Sequence, residues 1–323
     1  MEASELRALK RFFPCTDTRM KIKRGDHVVG RYSVLPFYKE QAQDVEHAGA
    51  LLINSFSQHR YVADMRNWVE DLGDLTPKTW YRLEEVNSRG PFVLKGCTNS
   101  RKFDWKTHMF AKSKKDAGDV MWRLMQDALI IGEDQPIYIR KYVPLMKLMD
   151  GINGLPVSKE FRFFVCRSQV LCGAFYWSNY AEDLSRVPSV SEVPESFLEE
   201  VIDLVGDRVE FFVLDVAQKE DGDWIVIELN DGQMSGLSEN DPALLYSRLR
   251  DVLVGRPETK PPSSSNPREW AIRACNNHPA YVDGFAAGKS DAALLILERA
   301  LLEGMDRELA FEALLGELVK RSS

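Results

Sequence analysis

The stretch "VEFFVLDVAQKEDGDWIVIEL" reads as two strands joined at Asp221-Gly222. Both arms are rich in β-branched and aromatic residues, and Asp-Gly is a strong signal for a two-residue hairpin turn. A turn there sets Glu220 against Asp223 and, counting back along both arms, Asp215 against Glu228. Opposed residues, and residues two apart, share one face of a sheet. Asp215, Glu228 and Asn230 then project from one face, and Leu214, Val216, Ile225, Ile227 and Leu229 form an apolar reverse. That apolar reverse places the pair on a core sheet. Two opposed carboxylates have Cβ atoms only about 5 Å apart and repel. A retained proton, an intervening lysine or arginine, or a divalent cation must compensate. Two carboxylates with an amide make an all-oxygen set suited to Mg²⁺ or Mn²⁺. The plain alternative is a chance pair on a solvated strand end.

Cations stand at other strand ends. Lys95 closes "FVLK" and opens a polar loop containing Gly96, Arg101, Lys102 and Lys106. Arg140 and Lys141 lie in "YIRKYV". In "KEFRFFV", Glu160 and Arg162 share one face, with Phe161, Phe163 and Val165 on the other and Lys159 just before them. Singly, each cation reads as a solvated charge. Together they supply positive donors for a triphosphate beside carboxylates for its metal. The phosphate-binding patterns GxxxxGKS and GxGxxG are both absent.

Around these strands the pattern is mixed. Residues 27–69 alternate strand and helix, with helices near 38–47 and 61–72. A helix is expected over 113–131, and "KEFRFFVC" and "QVLCGAFYW" form a hairpin about Arg167-Ser168. Residues 178–194 are a surface loop, followed by helices over 195–205 and from about Asp241. The expected organisation is an N-terminal α/β domain (1–80), a central domain (81–254), a linker rich in proline and serine (255–269) and a helical segment (270–323).

The order "FVLK", "IYIRKYV", "KEFRFFV", "FFVLDVA" and "IELN" resembles the ATP-grasp superfamily over roughly residues 90–254. Residues 28–74 resemble the α/β domain that usually precedes it. Within the superfamily, the chain is most similar to the divergent branch that includes the cell-division-cycle assembly factors for translation initiation and related bacterial and phage proteins. The resemblance implies an α+β fold of two α/β lobes whose antiparallel sheets clasp a nucleotide. It implies ATP and Mg²⁺ (or Mn²⁺) as cofactors. By it, Lys95 contacts the ATP phosphates, and Lys102, Lys106 and Lys159 compete to be the second lysine. Arg140, Lys141, Tyr142 and Val143 line adenine, largely with backbone groups. Arg162 faces the terminal phosphates and, with Lys159, is expected to be catalytic. Asp215, Glu228 and Asn230 hold the metal. The chain departs from the family where the hinge strand often carries a glutamate and where the loop after Lys95 is often glycine-rich.

The implied activity is ligation, in which a carboxylate is activated as an acyl phosphate and attacked by an amine or similar nucleophile. The loop 231–238, with Gly232, Ser235 and Gly236, either brings backbone N–H groups to that intermediate or simply leads into the next helix. Substrate specificity is expected in segments 32–37, 54–60 and 177–187. One rival reading is an ATP-binding assembly factor gripping a protein partner through 270–323. Another is an RNA-processing enzyme, suggested by the basic run 101–115. A net charge of -7 argues against a general nucleic-acid binder. A metal-dependent hydrolase is a third, but His27, His47, His59, His108 and His278 are dispersed, and the five cysteines lack zinc-ligand spacing. No apolar run approaches a membrane span of about 18 residues, and the N-terminus lacks a signal's apolar centre, so a cytoplasmic protein is expected.

Overall fold

The computed structural model describes residues 2–96, 101–126 and 136–254. The linker 255–269, the helical segment 270–323 and the end of the helix expected over 113–131 lie outside the described residues. So do positions 97–100 of the loop after Lys95. The chain divides into two units, Met1–Val252 and Leu253–Ser323, and the candidate site lies in the first.

The N-terminal part begins with α1 (Ala3–Phe12), followed by β1 (His27–Val28), α2 (Tyr38–His47), β2 (Leu51–Leu52), α3 (Phe56–Ala63) and α4 (Val69–Leu72). β1 and β2 pair in parallel, as a strand-helix-strand crossover requires. The helix expected over 61–72 is two helices. Ser55 caps α3 with a reciprocal Gln58 box, so α3 starts earlier, and a turn at Met65–Asn67 ends the run before α4.

Next come β3 (Thr79–Trp80), β4 (Phe92–Gly96), β5 (Phe110–Ala111), α5 (Lys114–Met125) and β6 (Ile137–Lys141). The strands form one antiparallel sheet in the order β3-β6-β4-β5. Its Phe92, Leu94, Ile137 and Ile139 bury against Ala117, Val120 and Leu124 of α5. The alternate positions carry Lys95, Tyr138 and Arg140 on the other face.

The second large sheet uses β9 (Glu160–Cys166), β10 (Gln169–Phe175), β11 (Phe211–Gln218) and β12 (Trp224–Asp231), in the order β10-β9-β11-β12. A small hairpin of β7 (Lys147–Asp150) and β8 (Pro156–Ser158) precedes it. Helices α6 (Glu195–Val205) and α7 (Pro242–Val254) flank β11 and β12 in sequence. Arg167 and Ser168 both have positive φ (48° and 59°), which fits the tight turn expected between β9 and β10. Phe161, Phe163, Val165, Leu214, Val216, Val226 and Leu229 pack against Leu198, Val201 and Val205 of α6. Each such side chain, fully buried, contributes about 1.5–3 kcal/mol of hydrophobic stabilisation. Among the described residues, no helix is long and apolar enough to cross a membrane.

The acidic hairpin closes differently from its expected turn. Gln218 pairs with Trp224, and Lys219 N–H donates to Asp223 C=O at 2.8 Å. The loop is therefore Glu220-Asp221-Gly222, with Gly222 at φ +97°, a three-residue form rather than a two-residue one. That moves the register by one. A bulge between the Asp215–Glu228 and Val216–Val226 pairs moves it back. Asp215 still faces Glu228, through two shifts that offset each other. The expected apolar reverse is corrected accordingly: Val226 takes the place of Ile225 and Ile227 in the core packed against α6, and Ile225 is buried outside that cluster.

Candidate functional site

Four residues line up across the second sheet. Ala174, Arg162, Asp215 and Glu228 are consecutive register partners on β10, β9, β11 and β12. Glu160 lies two residues before Arg162 on β9, and Asn230 two beyond Glu228 on β12, so both belong to the same face.

The repulsion expected between Asp215 and Glu228 is met by one cation each. Arg162 grips Asp215 through two hydrogen bonds of 2.8 Å, from Nε to Oδ1 and from Nη2 to Oδ2. Lys95 reaches over from the facing sheet and donates to Glu228 Oε1 at 2.5 Å. Burial raises the Glu228 pKa, but Lys95, Lys102 and Arg162 together outweigh it and hold the carboxyl below its ordinary range. Burial pushes Lys95 down, with Glu228 opposing. Burial also pushes Arg162 down, but Asp215 reverses that and the net shift is upward.

Lys102 is the second lysine in this cleft. Its ammonium donates to the Tyr176 hydroxyl and lies 4.0 Å and 4.6 Å from the ring centroids of Tyr176 and Trp177. Arg162 sits 4.8 Å from the same Tyr176 ring. Burial lowers the Lys102 pKa, yet the Tyr176 oxygen and Glu160 carboxylate outweigh it and the net shift is upward. Glu160 is only 3% exposed, and its carboxylate accepts from Ser158 Oγ at 3.4 Å. Burial lifts its pKa to about 7.

The side chains of three expected site residues have partners outside this row. Lys159, expected to be catalytic, pairs with Glu192, donates to Gln218 Oε1 at 2.9 Å and lies over Trp224. It precedes Glu160 by one residue, so alternation turns it to the other face. The Lys141 ammonium donates to Ser88 and to the Gly90 carbonyl. Arg140 is 5% exposed and bonds the Ile227 carbonyl and the Thr76 hydroxyl. Tyr142 gives its N–H to Pro91 C=O and its ring to Phe110. Val143 follows it, just before Pro144, whose carbonyl accepts from Glu220 N–H.

The loop after β12 is anchored on both sides. Arg162 Nη1 donates to the Gly236 carbonyl at 2.9 Å, and Asn240 donates to Arg162 C=O. A side chain at Gly232 would lie 2.8 Å from the Phe211 ring, so that glycine serves close packing. Asn54 and His59, expected among specificity residues, are buried beneath this loop. Asn54 bonds Asp231 and the Phe211 backbone, and His59 Nδ1 lies 3.1 Å from Asp231 Oδ2. Glu160 and Tyr176 carried a sequence signal, alternation with Arg162 and an aromatic strand end. Thr76 carried none.

Among the described residues, no group of three or more His, Cys, Asp or Glu side chains is placed to hold a metal. The candidate set is smaller: two carboxylates of different strands and one amide. Its all-oxygen chemistry suits a hard cation that keeps several water or phosphate ligands. The surrounding Lys95, Lys102 and Arg162 suit an anion of several charges.

No curated protein matches the chain in sequence. A RimK domain ATP-grasp protein from Sphaerobacter thermophilus superposes with a TM-score of 0.53 at 14% identity, over 79% of this chain and 97% of that one. D-cycloserine synthetase DcsG gives 0.48 at 15% identity, over 77% and 93%. Cdc123 from Schizosaccharomyces pombe gives 0.35 at 14% identity, over 55% and 85%. A family model, an ATP-grasp domain of clade family 3, matches residues 11–249, and the chain belongs to that ATP-grasp family.

Proposed function

We propose that the protein is an ATP- and Mg²⁺-dependent ligase that activates a carboxylate as an acyl phosphate for attack by an amine or similar nucleophile. The observation that carries this reading is the row Arg162–Asp215–Glu228, met from the opposite sheet by Lys95. Two adjacent carboxylates there are flanked by a cation on each side, on a buried surface that faces a second sheet, which suits a metal-bound polyphosphate.

In this reading Lys95, Lys102 and Arg162 bind the phosphates, and the backbone near Tyr142 and Val143 lines the adenine. Asp215, Glu228 and Asn230 hold Mg²⁺, which when bound supplies neutralising charge and polarises the transferred phosphoryl group. A substrate carboxylate oxygen attacks the γ-phosphorus, and the bond to the ADP oxygen breaks. The amine nitrogen then attacks the acyl carbon, phosphate leaves with its C–O electrons, and the ammonium proton passes to solvent. Arg162 acts by charge stabilisation and alignment, the main protein contribution to phosphoryl transfer. Its hold on Asp215 fixes the guanidinium before substrate arrives.

Calorimetric titration of a non-hydrolysable ATP analogue, with and without Mg²⁺, tests the site. Glu228→Gln should lose at least about tenfold of the Mg²⁺-dependent affinity, or about 1.4 kcal/mol. Unchanged metal-dependent binding would refute the assignment. Release of ADP rather than AMP during turnover separates acyl phosphorylation from adenylylation.

A further inference from the structure

Trp224 and Val226 pack toward the apolar core, and strict alternation would send Glu228 the same way. Leu229 is the next core residue instead. The parity changes at Ile227, the β12 residue left over between the Asp215–Glu228 and Val216–Val226 pairs. An extra residue of this kind turns every side chain beyond it to the opposite face. Without the bulge, Glu228 and Asn230 would point into the core, and Leu229 would face the cleft.

A bulge takes backbone groups out of the ladder, and buried ones need other partners. Two residues outside this sheet supply them. Arg140 Nη1 donates to the Ile227 carbonyl at 2.5 Å. Thr76 Oγ1 donates to the Val226 carbonyl at 2.9 Å. Arg140 Nη2 donates to Thr76 Oγ1 at 2.7 Å, which joins the two into one clamp. Both residues are buried, at 5% and 4% exposure. Keeping a guanidinium in such a place is costly, the more so because its Nε has no partner among the described residues. Burial lowers its pKa to about 10. A hydrophobic residue would fill the volume without that cost. What it could not do is hold the bulged carbonyl and the threonine relay at once from the facing sheet.

We infer that Arg140 and Thr76 are positioning residues that hold the Ile227 bulge, and so keep Glu228 and Asn230 on the cleft face. The inference rests on the ligase reading, since the bulge matters through the metal and nucleotide held there. It also gives the Arg140 side chain a task beside the largely backbone contact to adenine expected from the sequence.

The test is the ratio of affinities for a non-hydrolysable ATP analogue with and without Mg²⁺, measured by calorimetry on the full chain. Arg140→Met lowers that ratio by about tenfold or more, as losing an outer orienting contact does at metal sites. Thr76→Val, which keeps the shape but loses the relay, lowers it less. Arg140→Lys keeps a charge that cannot span both partners and falls between the two. Should Arg140→Met fail to fold, Thr76→Val and Arg140→Lys decide the matter. A ratio unchanged within about twofold in these variants overturns the inference. So does an equal fall in the metal-free and metal-bound affinities, which a merely structural role would give. A wild-type protein with no Mg²⁺ enhancement at all overturns the ligase reading first, so the two failures are distinct.

Discussion

Arg162 and Asp215 stand directly opposite each other on neighbouring strands and share two parallel 2.8 Å hydrogen bonds, with side chains 11% and 1% exposed. Such a pair is most sensitive to losing one member, because the other charge stays buried and uncompensated. Arg162→Met should cost about 3–5 kcal/mol in urea denaturation. Asp215→Asn keeps the shape and some hydrogen bonding, and should cost less. A loss below about 1 kcal/mol for Arg162→Met would mean that the pair behaves as a solvated one.

Two of the three lysines expected to compete for the phosphates are separated by their surroundings. Lys102 sits against Tyr176 and Trp177 beside Arg162, whereas Lys159 is committed to Glu192 and Gln218. Lys102→Met should weaken nucleotide binding by about 1.5–3 kcal/mol, the range for a charge-assisted hydrogen bond. Lys159→Met should leave it within about 0.5 kcal/mol, as substitutions away from a site do. Parallel titrations of the two variants check the contrast, and equal losses would contradict it.

Much of this site was legible because strands report themselves by alternation. The strands carrying Lys95, Arg162, Asp215 and Glu228 were readable from apolar periodicity, and their order brought out the family resemblance. The bulge at Ile227 was harder. Its trace is a change in apolar spacing, from Val226 to Leu229 rather than to Glu228, in a strand where Ile225 and Ile227 mask it by being apolar too. The turn at Asp221-Gly222 misled for a related reason. Gly222 takes a positive φ in two-residue and three-residue loops alike, so the dipeptide does not set the register. Thr76, Asn54 and His59 were unreadable because their roles depend on partners far away in sequence. Asn54 meets Phe211 and Asp231, more than 150 positions on, and local pattern carries nothing of that.

The Asn54 side chain is a backbone substitute and should behave as one. It donates to the Phe211 carbonyl at 2.7 Å and to Asp231 Oδ1 at 3.0 Å, and accepts from Phe211 N–H at 2.9 Å. Asn54→Ala strands those buried groups at about 1–3 kcal/mol each. Asn54→Asp should be worse, because it removes the donor and sets a second carboxylate against Asp231. Denaturant midpoints for the two variants give the order, and a milder effect for Asn54→Asp would show that Asp231 is paired differently.

Glu160 should make stability depend on pH in a direction opposite to most carboxylates. Burial raises its pKa from 4.5 to about 7, with Lys102 and Arg162 pulling down and Asp215 and Glu228 pushing up. Between those two values the folded chain holds a proton that the unfolded chain has released. Stability therefore falls as pH rises through that window, and above it the full penalty is present. At about 1.4 kcal/mol per pKa unit, that penalty is on the order of 3 kcal/mol. Glu160→Gln removes it. The variant should match the wild type near pH 4 and exceed it in stability at about pH 8, with the gap opening between the two. Denaturant midpoints across that range measure the gap directly. A gap that stays constant with pH would mean that Glu160 ionises as a solvated carboxylate, and the enclosed surface that makes this cleft a candidate site would have to be redrawn.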